Sequence, residues 1–241
     1  MEFDLLKQLL SQFGRMWHLL LPSPCLWCSL PVQHFQRQLC QSCQQALPLL
    51  PYQACHYNLL WLPQVARGLA STRFDALLSV SYYQQPYRHW LQRWKFAQDY
   101  AAGDLLLLQF SALLQQYRLQ HAKLPDAITF VPMHPAKQRK RGFNPAQLLA
   151  EHAAQLLQIP LLPLLQRQQP NKAQVGLNRK QRLKNLHSVF TLADTATVPA
   201  SIALVDDVIT TGATADALCQ LLRRAGARHI SLWTIAVTLA D

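Results

Sequence analysis

The chain has 241 residues, half of them apolar, and 23 Lys and Arg against 12 Asp and Glu, giving a net charge of +11 at pH 7. That length and composition can bury one substantial core and a small appendage, and the basic balance points to an anionic partner. No uninterrupted apolar run is long enough to span a bilayer, which excludes a helix that crosses a membrane.

Residues 1–22 carry Leu5, Leu6, Leu9, Leu10, Phe13, Trp17, Leu20 and Leu21 at helical spacing, interrupted by Lys7, Gln8, Arg15 and His18. This predicts an amphipathic helix that packs on the rest of the protein, with attachment to a membrane surface as the competing use. Cys25-x2-Cys28 and Cys40-x2-Cys43 follow, eleven residues apart. Each Cys-x2-Cys turn can present two thiolates from one tight loop, so two of them make the tetrahedral set of a zinc ribbon, expected within residues 23–60. Disulfides compete with that reading. Glu2 and Asp4 precede the first apolar run, which is not the pattern of a secretory leader, so a reducing cytoplasm and zinc are the better expectation. Ser29 and Gln44 stand where a knuckle usually has Gly. Cys55 and His56 are expected to be an unliganded pair near the domain boundary, and Cys219 a core residue. Residues 48–63 are rich in Pro and read as a linker.

From about residue 70 strands and helices take turns: a strand at Ala76–Tyr83, helices at Gln85–Phe96 and Asp104–Tyr117, a strand at Ala127–Val131 and a helix at Pro145–Leu157. Further strands are expected at Leu161–Leu165, Ser188–Leu192, Ile202–Val205 and Ile230–Val237, with a helix over 214–225. The 70–241 segment is therefore an α/β domain with a mainly parallel sheet, whose ligands sit at the carboxyl ends of the strands. Ten Lys and Arg fall between Lys137 and His187, against the single acid Glu151. Such a run is either a solvated face or an anion site.

The stretch Val205-Asp206-Asp207-Val208-Ile209-Thr210-Thr211-Gly212-Ala213-Thr214 carries the most chemistry. An apolar strand runs into two acids and then a Gly/Thr loop that opens a helix. Thr210, Thr211 and Thr214 offer hydroxyls, Gly212 lets the backbone come close, and the free N–H groups from Ala213 onward complete an anion cradle. A phosphate there would repel Asp206 and Asp207, so their partners are hydroxyl groups or a hydrated Mg²⁺ about one ribose away. Phosphate at one end and diol at the other describe a ribose 5-phosphate. An ordinary strand–turn–helix, with Asp and Thr as turn and cap residues, is the alternative.

This stretch resembles the 5-phosphoribosyl 1-diphosphate (PRPP) motif of type I phosphoribosyltransferases. Residues 131–149, from Val131-Pro132 through Arg141-Gly142-Phe143-Asn144, are similar to a segment of the ComF/GntX family. So are Gln174, Leu177, Arg182, Asn185 and Phe190, and the aromatic stretch Tyr82–Phe96 that ends in Trp94-Lys95-Phe96. Lys137 stands where the family more often has Arg, and Pro145 follows Asn144 where Gln is usual; Asn144 can still cap the helix that Pro145 begins.

The resemblance implies a type I phosphoribosyltransferase fold with a small N-terminal zinc ribbon on Cys25, Cys28, Cys40 and Cys43. It implies that Thr210, Thr211, Gly212, Ala213 and Thr214 hold the 5-phosphate, while Asp206 and Asp207, the catalytic candidates, hold the ribose hydroxyls. Lys137, Arg139, Lys140 and Arg141 would take the diphosphate with Mg²⁺ bridging its oxygens, and Arg179, Arg182 and Lys184 would lie on a flap. The activity implied is phosphoribosyl transfer from PRPP to a nitrogen acceptor, in a cytoplasmic protein of DNA uptake, for competence or nutrition. Partners would be PRPP, single-stranded DNA and DNA-uptake or helicase proteins. A non-catalytic PRPP sensor, a single-stranded-DNA module with a degenerate pocket and a structural adaptor stay open beside it.

Overall fold

A computed structural model describes residues 16, 21–32, 38–48, 50–69, 72–167, 189–193 and 197–239. The helix expected over 1–22 falls almost wholly outside them, as do Arg179, Arg182 and Lys184. The chain divides into two compact units, Met1–Leu49 and Leu50–Asp241.

In the first unit, a single antiparallel bridge joins Pro24 to Pro31 around the first cysteine pair. The second pair sits on a one-turn helix, α1 (Gln41–Gln45), for which Cys40 is the N-cap residue.

The second unit is built on four parallel strands. β1 (Ala76–Tyr82), β2 (Ala127–Phe130), β5 (Ser201–Val205) and β7 (His229–Val237) lie in the order β1-β7-β5-β2, and short β6 (Val208–Ile209) also pairs with β7. β3 (Leu165–Arg167) and β4 (Phe190–Leu192) form a separate antiparallel pair. The helices are α2 (Pro63–Ala66), α3 (Tyr87–Ala97), α4 (Tyr100–Gln120), α5 (Pro135–Arg141), α6 (Pro145–Leu157) and α7 (Ala213–Arg224). The expected α/β architecture with a mainly parallel sheet is therefore present. β7 is buried at every position after His229, as a strand with neighbours on both edges and cover on both faces must be.

One face of the sheet presents Leu77, Ile202, Leu204, Ile230 and Leu232 to Leu218 and Leu222 of α7, to Phe190, and to Cys55, Leu59 and Val65. On the other, Tyr117 of α4 meets Trp233 edge to face, with ring centroids 5.9 Å apart. The corner between α3 and α4 is tight. A Cβ on Gly103 would lie 2.6 Å from Trp94 Nε1, so only Gly lets the indole close against α4. Asp99 caps α4 by accepting from Ala102 N–H at 3.1 Å and pairs with Arg93 of α3.

Two expectations are corrected. Leu161–Leu165 is not a strand of the main sheet: Leu161 makes one parallel bridge to Ile128, and pairing begins at Leu165 with β4 instead. The stretch read as a linker belongs to the larger unit from Leu50 on. β1 is an edge strand whose unpaired groups need partners, and this stretch supplies them. Tyr52 Oη accepts from Ser79 N–H at 2.9 Å and donates to the Ser79 carbonyl. Asn58 Oδ1 accepts from Leu77 N–H at 3.1 Å while its Nδ2 donates to the Asp75 carbonyl at 3.0 Å. Cys55 and Leu59 are fully buried beneath them, so Cys55 is a core residue. The opposite edge is covered too, since Ile128 N–H donates to Pro160 O at 2.9 Å and its carbonyl accepts from Leu162 N–H at 2.8 Å.

Asn58→Ala strands three backbone groups at once, Leu77 N–H of β1, the Asp75 carbonyl just before it and Leu60 N–H. We expect a loss of about 1–3 kcal/mol, read from the midpoint of a denaturant titration with its slope unchanged.

Candidate functional site

Asp206 and Asp207 interrupt the strand that runs alongside β7 without shifting its register. Val205 pairs with Trp233 before them and Val208 with Ala236 after them, the same offset on both sides. Asp206 N–H donates to Trp233 O at 3.0 Å, and the Asp207 carbonyl accepts from Ile235 N–H at 3.1 Å. The two acids are thus fixed by the backbone of the central strand. Past Ile209, Thr210 and Thr211 are exposed, and Gly212 adopts φ 77°, the left-handed region that an L side chain rarely enters. α7 begins at the next residue. Thr211 Oγ1 accepts from Ala213 N–H at 3.5 Å, and Gly212, in the N-cap position, has no side chain to take the first N–H groups. The first turn of a twelve-residue helix, flanked by hydroxyls, carries the positive end of the helix dipole and backbone donors without intrahelical acceptors, the features an anion would use.

The neighbouring strand delivers the cations. Phe130 of β2 pairs with Val205, and Val131 N–H donates to Val205 O at 2.9 Å, so the chain after β2 emerges beside the acid pair. It then forms α5, a helix absent from the elements expected of the sequence. His134 Nδ1 accepts from Ala136 N–H at 3.1 Å, Pro135 occupies the first turn, and Gly142 ends the helix at φ 89°. Lys137, Arg139 and Lys140 are exposed on α5, and Arg141 lies over the Phe96 ring at 5.2 Å. Asn144 fixes the far end as expected: its Oδ1 caps α6 at Ala146 N–H (3.1 Å), while its Nδ2 donates back to Val131 O (3.0 Å). Arg182, assigned to a flap, lies outside the described residues.

Lys95 is the residue that sequence reasoning missed. Its Nζ lies 2.7 Å from Asp207 Oδ2, with both side chains about 85% covered at 15% and 16% exposure. A signal existed. Tyr87, Trp90, Leu91 and Trp94 form the buried stripe of α3, and Lys95 falls on that stripe four residues after Leu91. A cation on an apolar stripe calls for a buried partner. α3 itself is held against the loop after α5 by Trp94 stacked on Phe143, with centroids 5.5 Å apart, and by Gln98 Nε2 donating to Arg141 O at 3.1 Å.

Asp206 carries the electrostatic cost of this arrangement. Burial first, and then the adjacent Asp207 carboxylate, raise its pKa well above the usual 3.8; the Asp207 N–H, which donates to Asp206 Oδ1 at 2.8 Å, and Lys95 act the other way.

In the smaller unit the four cysteines come together as the spacing predicts. All four sulfurs lie within 4.8 Å of one another, and Cys28 and Cys40 are 3.7 Å apart. Four thiolates around one ion at about 2.3 Å would stand roughly 3.8 Å apart, so the set fits a tetrahedral metal. Burial pushes the Cys25 thiol up, but N–H groups of Cys28, Cys40 and Trp27 outweigh it and bring it down to about 6. Burial and the neighbouring thiols push Cys43 up. Ionisation of Cys25 at the expense of Cys43 is what crowding these sulfurs together produces. Ser29 takes the left-handed conformation at φ 62°, where a knuckle glycine would sit, whereas Gln44 lies on α1 and needs no glycine.

No family model matches the chain. Among characterised proteins it is similar to the competence protein F of Haemophilus influenzae, 32% identical over 219 residues, covering 88% of this chain and 96% of that protein. The chain belongs to the competence protein F (ComF) family. Within reach of the same family is the DNA utilization protein YhgH of Salmonella typhimurium, 29% identical over 231 residues that span 92% of this chain and all of that one. Among solved structures this chain is similar to the adenine phosphoribosyltransferase of Leishmania tarentolae, with TM-score 0.37 and 16% identity over 59% of this chain and 73% of that one. Among the described residues no helix is long and apolar enough to cross a membrane.

An acid whose folded pKa is raised binds its proton more tightly in the folded state. Stability is therefore lost as pH climbs from about 3.8 through the raised value. Asp206→Asn should raise the thermal midpoint at pH 7–8 and leave it unchanged below about pH 4, as a calorimetric pH series would measure.

Proposed function

We propose that the chain binds PRPP where β2 and β5 end, and acts as a phosphoribosyltransferase-like protein in the uptake or use of DNA. The observation that carries the first half is the acid pair locked to β7, followed five residues after Asp207 by a positive-φ glycine and a helix N-terminus. Those parts match a ribose diol and a 5-phosphate in order and spacing. Thr210, Thr211, Gly212, Ala213 and Thr214 would hold the phosphate, and Asp206 and Asp207 the hydroxyls, while Lys137, Arg139, Lys140 and Arg141 on the adjacent strand's exit would neutralise the diphosphate. Phosphoribosyl transfer asks little more than this of a protein. A nitrogen nucleophile displaces diphosphate from the anomeric carbon, so catalysis comes from holding both phosphates, stabilising the leaving charge and excluding water. The names competence protein F and DNA utilization protein, carried by relatives that align over most of the chain, support the second half.

The metal of the cysteine cluster is zinc on this reading, in a closed four-thiolate site with a structural role and no open position for a substrate. The protein then works in the cytoplasm, where the thiols stay reduced. A non-catalytic PRPP sensor would use the same residues, and turnover separates the two.

Calorimetric titration of PRPP with Mg²⁺ should give saturable heat that is lost in an Asp206→Asn/Asp207→Asn double variant; diphosphate release in the presence of a panel of nucleobases then reads transfer. Absence of heat in the wild-type protein would sink the PRPP reading. Elemental analysis should find one zinc per chain, and a Cys25→Ser/Cys40→Ser variant should hold none. Metal-free protein purified from zinc-supplemented medium would count against the ribbon.

A further inference from the structure

The acid pair already has a cation. Lys95 Nζ, 2.7 Å from Asp207 Oδ2 and largely covered, already engages one of the oxygens that a divalent ion would need on that carboxylate. Asp206 Oδ1 is engaged by the Asp207 N–H at 2.8 Å. The ammonium cannot easily leave, because α3 is anchored on both sides of it by Trp94 on Phe143, Trp94 against Gly103 and Gln98 on the Arg141 carbonyl. A hard divalent ion such as Mg²⁺ or Mn²⁺ needs free carboxylate oxygens and gives up its water reluctantly. Here it would have to displace a covered, charge-assisted hydrogen bond and pass a second positive charge beside the first.

We infer that Lys95 is a positioning residue that serves as a built-in counter-ion, closing the Asp206–Asp207 pair to free divalent metal so that metal reaches the site only as a complex with an incoming diphosphate. This deepens the proposed function, since it rests on reading the pair as the group that holds sugar hydroxyls. It assigns the two acids different tasks. Asp207 is held in place and neutralised by Lys95, and Asp206, whose carboxyl has no cation within ion-pair distance among the described residues, is the one left to accept from a hydroxyl. Two uncompensated carboxylates at this position would act as a metal trap and would repel a ligand that carries several negative charges. With Lys95 in place, the pair presents less negative charge to such a ligand.

The inference concerns metal without ligand, so it is tested by Mn²⁺ alone. Free Mn²⁺ is followed by its paramagnetic resonance signal in titrations of the full-length wild-type protein and the Lys95→Met, Lys95→Arg, Asp207→Asn and Lys95→Met/Asp207→Asn variants, each checked for folding by circular dichroism. The cysteine cluster is common to all and cancels in the comparison. Lys95→Met should take up one more Mn²⁺ than wild type, at least tenfold more tightly than any background site, and the double variant should lose it again. Lys95→Arg should behave as wild type. Wild-type protein that binds an ion which Asp207→Asn abolishes would overturn the inference, whether or not Lys95→Met folds. A folded Lys95→Met that takes up no more than wild type would overturn it as well. Neither outcome depends on PRPP, so the counter-ion role can fail while calorimetry with PRPP succeeds, and the reverse.

Discussion

Hydrogen bonding to β7 is the constraint on which the larger unit depends. This strand has β1 on one edge and both β5 and β6 on the other, and it is covered on both faces, so its backbone dictates where its neighbours end. The unbroken register through Asp206 and Asp207 follows from it. Two charged residues in the interior of a sheet would ordinarily be expelled. Here their backbone groups stay in the ladder and their side chains are handled locally, one by Lys95 and one by a neighbouring N–H. The acids are therefore tied into the same ladder as the core, while the threonines three and four residues after Asp207 are exposed at the surface.

Charge is separated along the strand ends in a way that composition alone does not convey. Four of the cations cluster after β2, on a helix that the segment carrying the acids adjoins through Val131 and Val205. Asn144 ties the far end of that segment to its beginning. The four cations of α5 thus project from a closed loop rather than from an extended tail, which lowers the conformational entropy lost when an anion gathers them.

Much of this was legible in the sequence, and the rest was not for definite reasons. Helix α6 occupies the residues expected of it because Asn144, Pro145 and the apolar spacing all act within one turn of one another. The start of α7 just after Gly212 and the gathering of the four cysteines were readable for the same reason, since spacing along the chain sets the local geometry. Lys95 was hidden because its partner lies 112 positions away and a lone Lys on a helix is ordinarily solvated. The stretch from Leu50 to Pro63 misled because Pro and polar residues mark linkers, whereas here Tyr52 and Asn58 replace a missing strand, which only the edge position of β1 explains. α5 was overlooked because a run of like charges disfavours a helix, and its capping residues His134 and Gly142 supply what the run lacks.

The covered edges of the sheet bear on how this protein meets others. At β1 the places where a guest strand would bond are filled by a phenol and an amide, and at β2 by the backbone around Leu161. A partner chain cannot pair with these groups without first displacing the segments that hold them, one of which is anchored in the core by Cys55 and Leu59. Assembly by strand exchange is thereby closed off at both ends, and recognition of a protein or a polymer is left to side-chain surfaces, which evolution can retune one residue at a time without disturbing the ladder beneath.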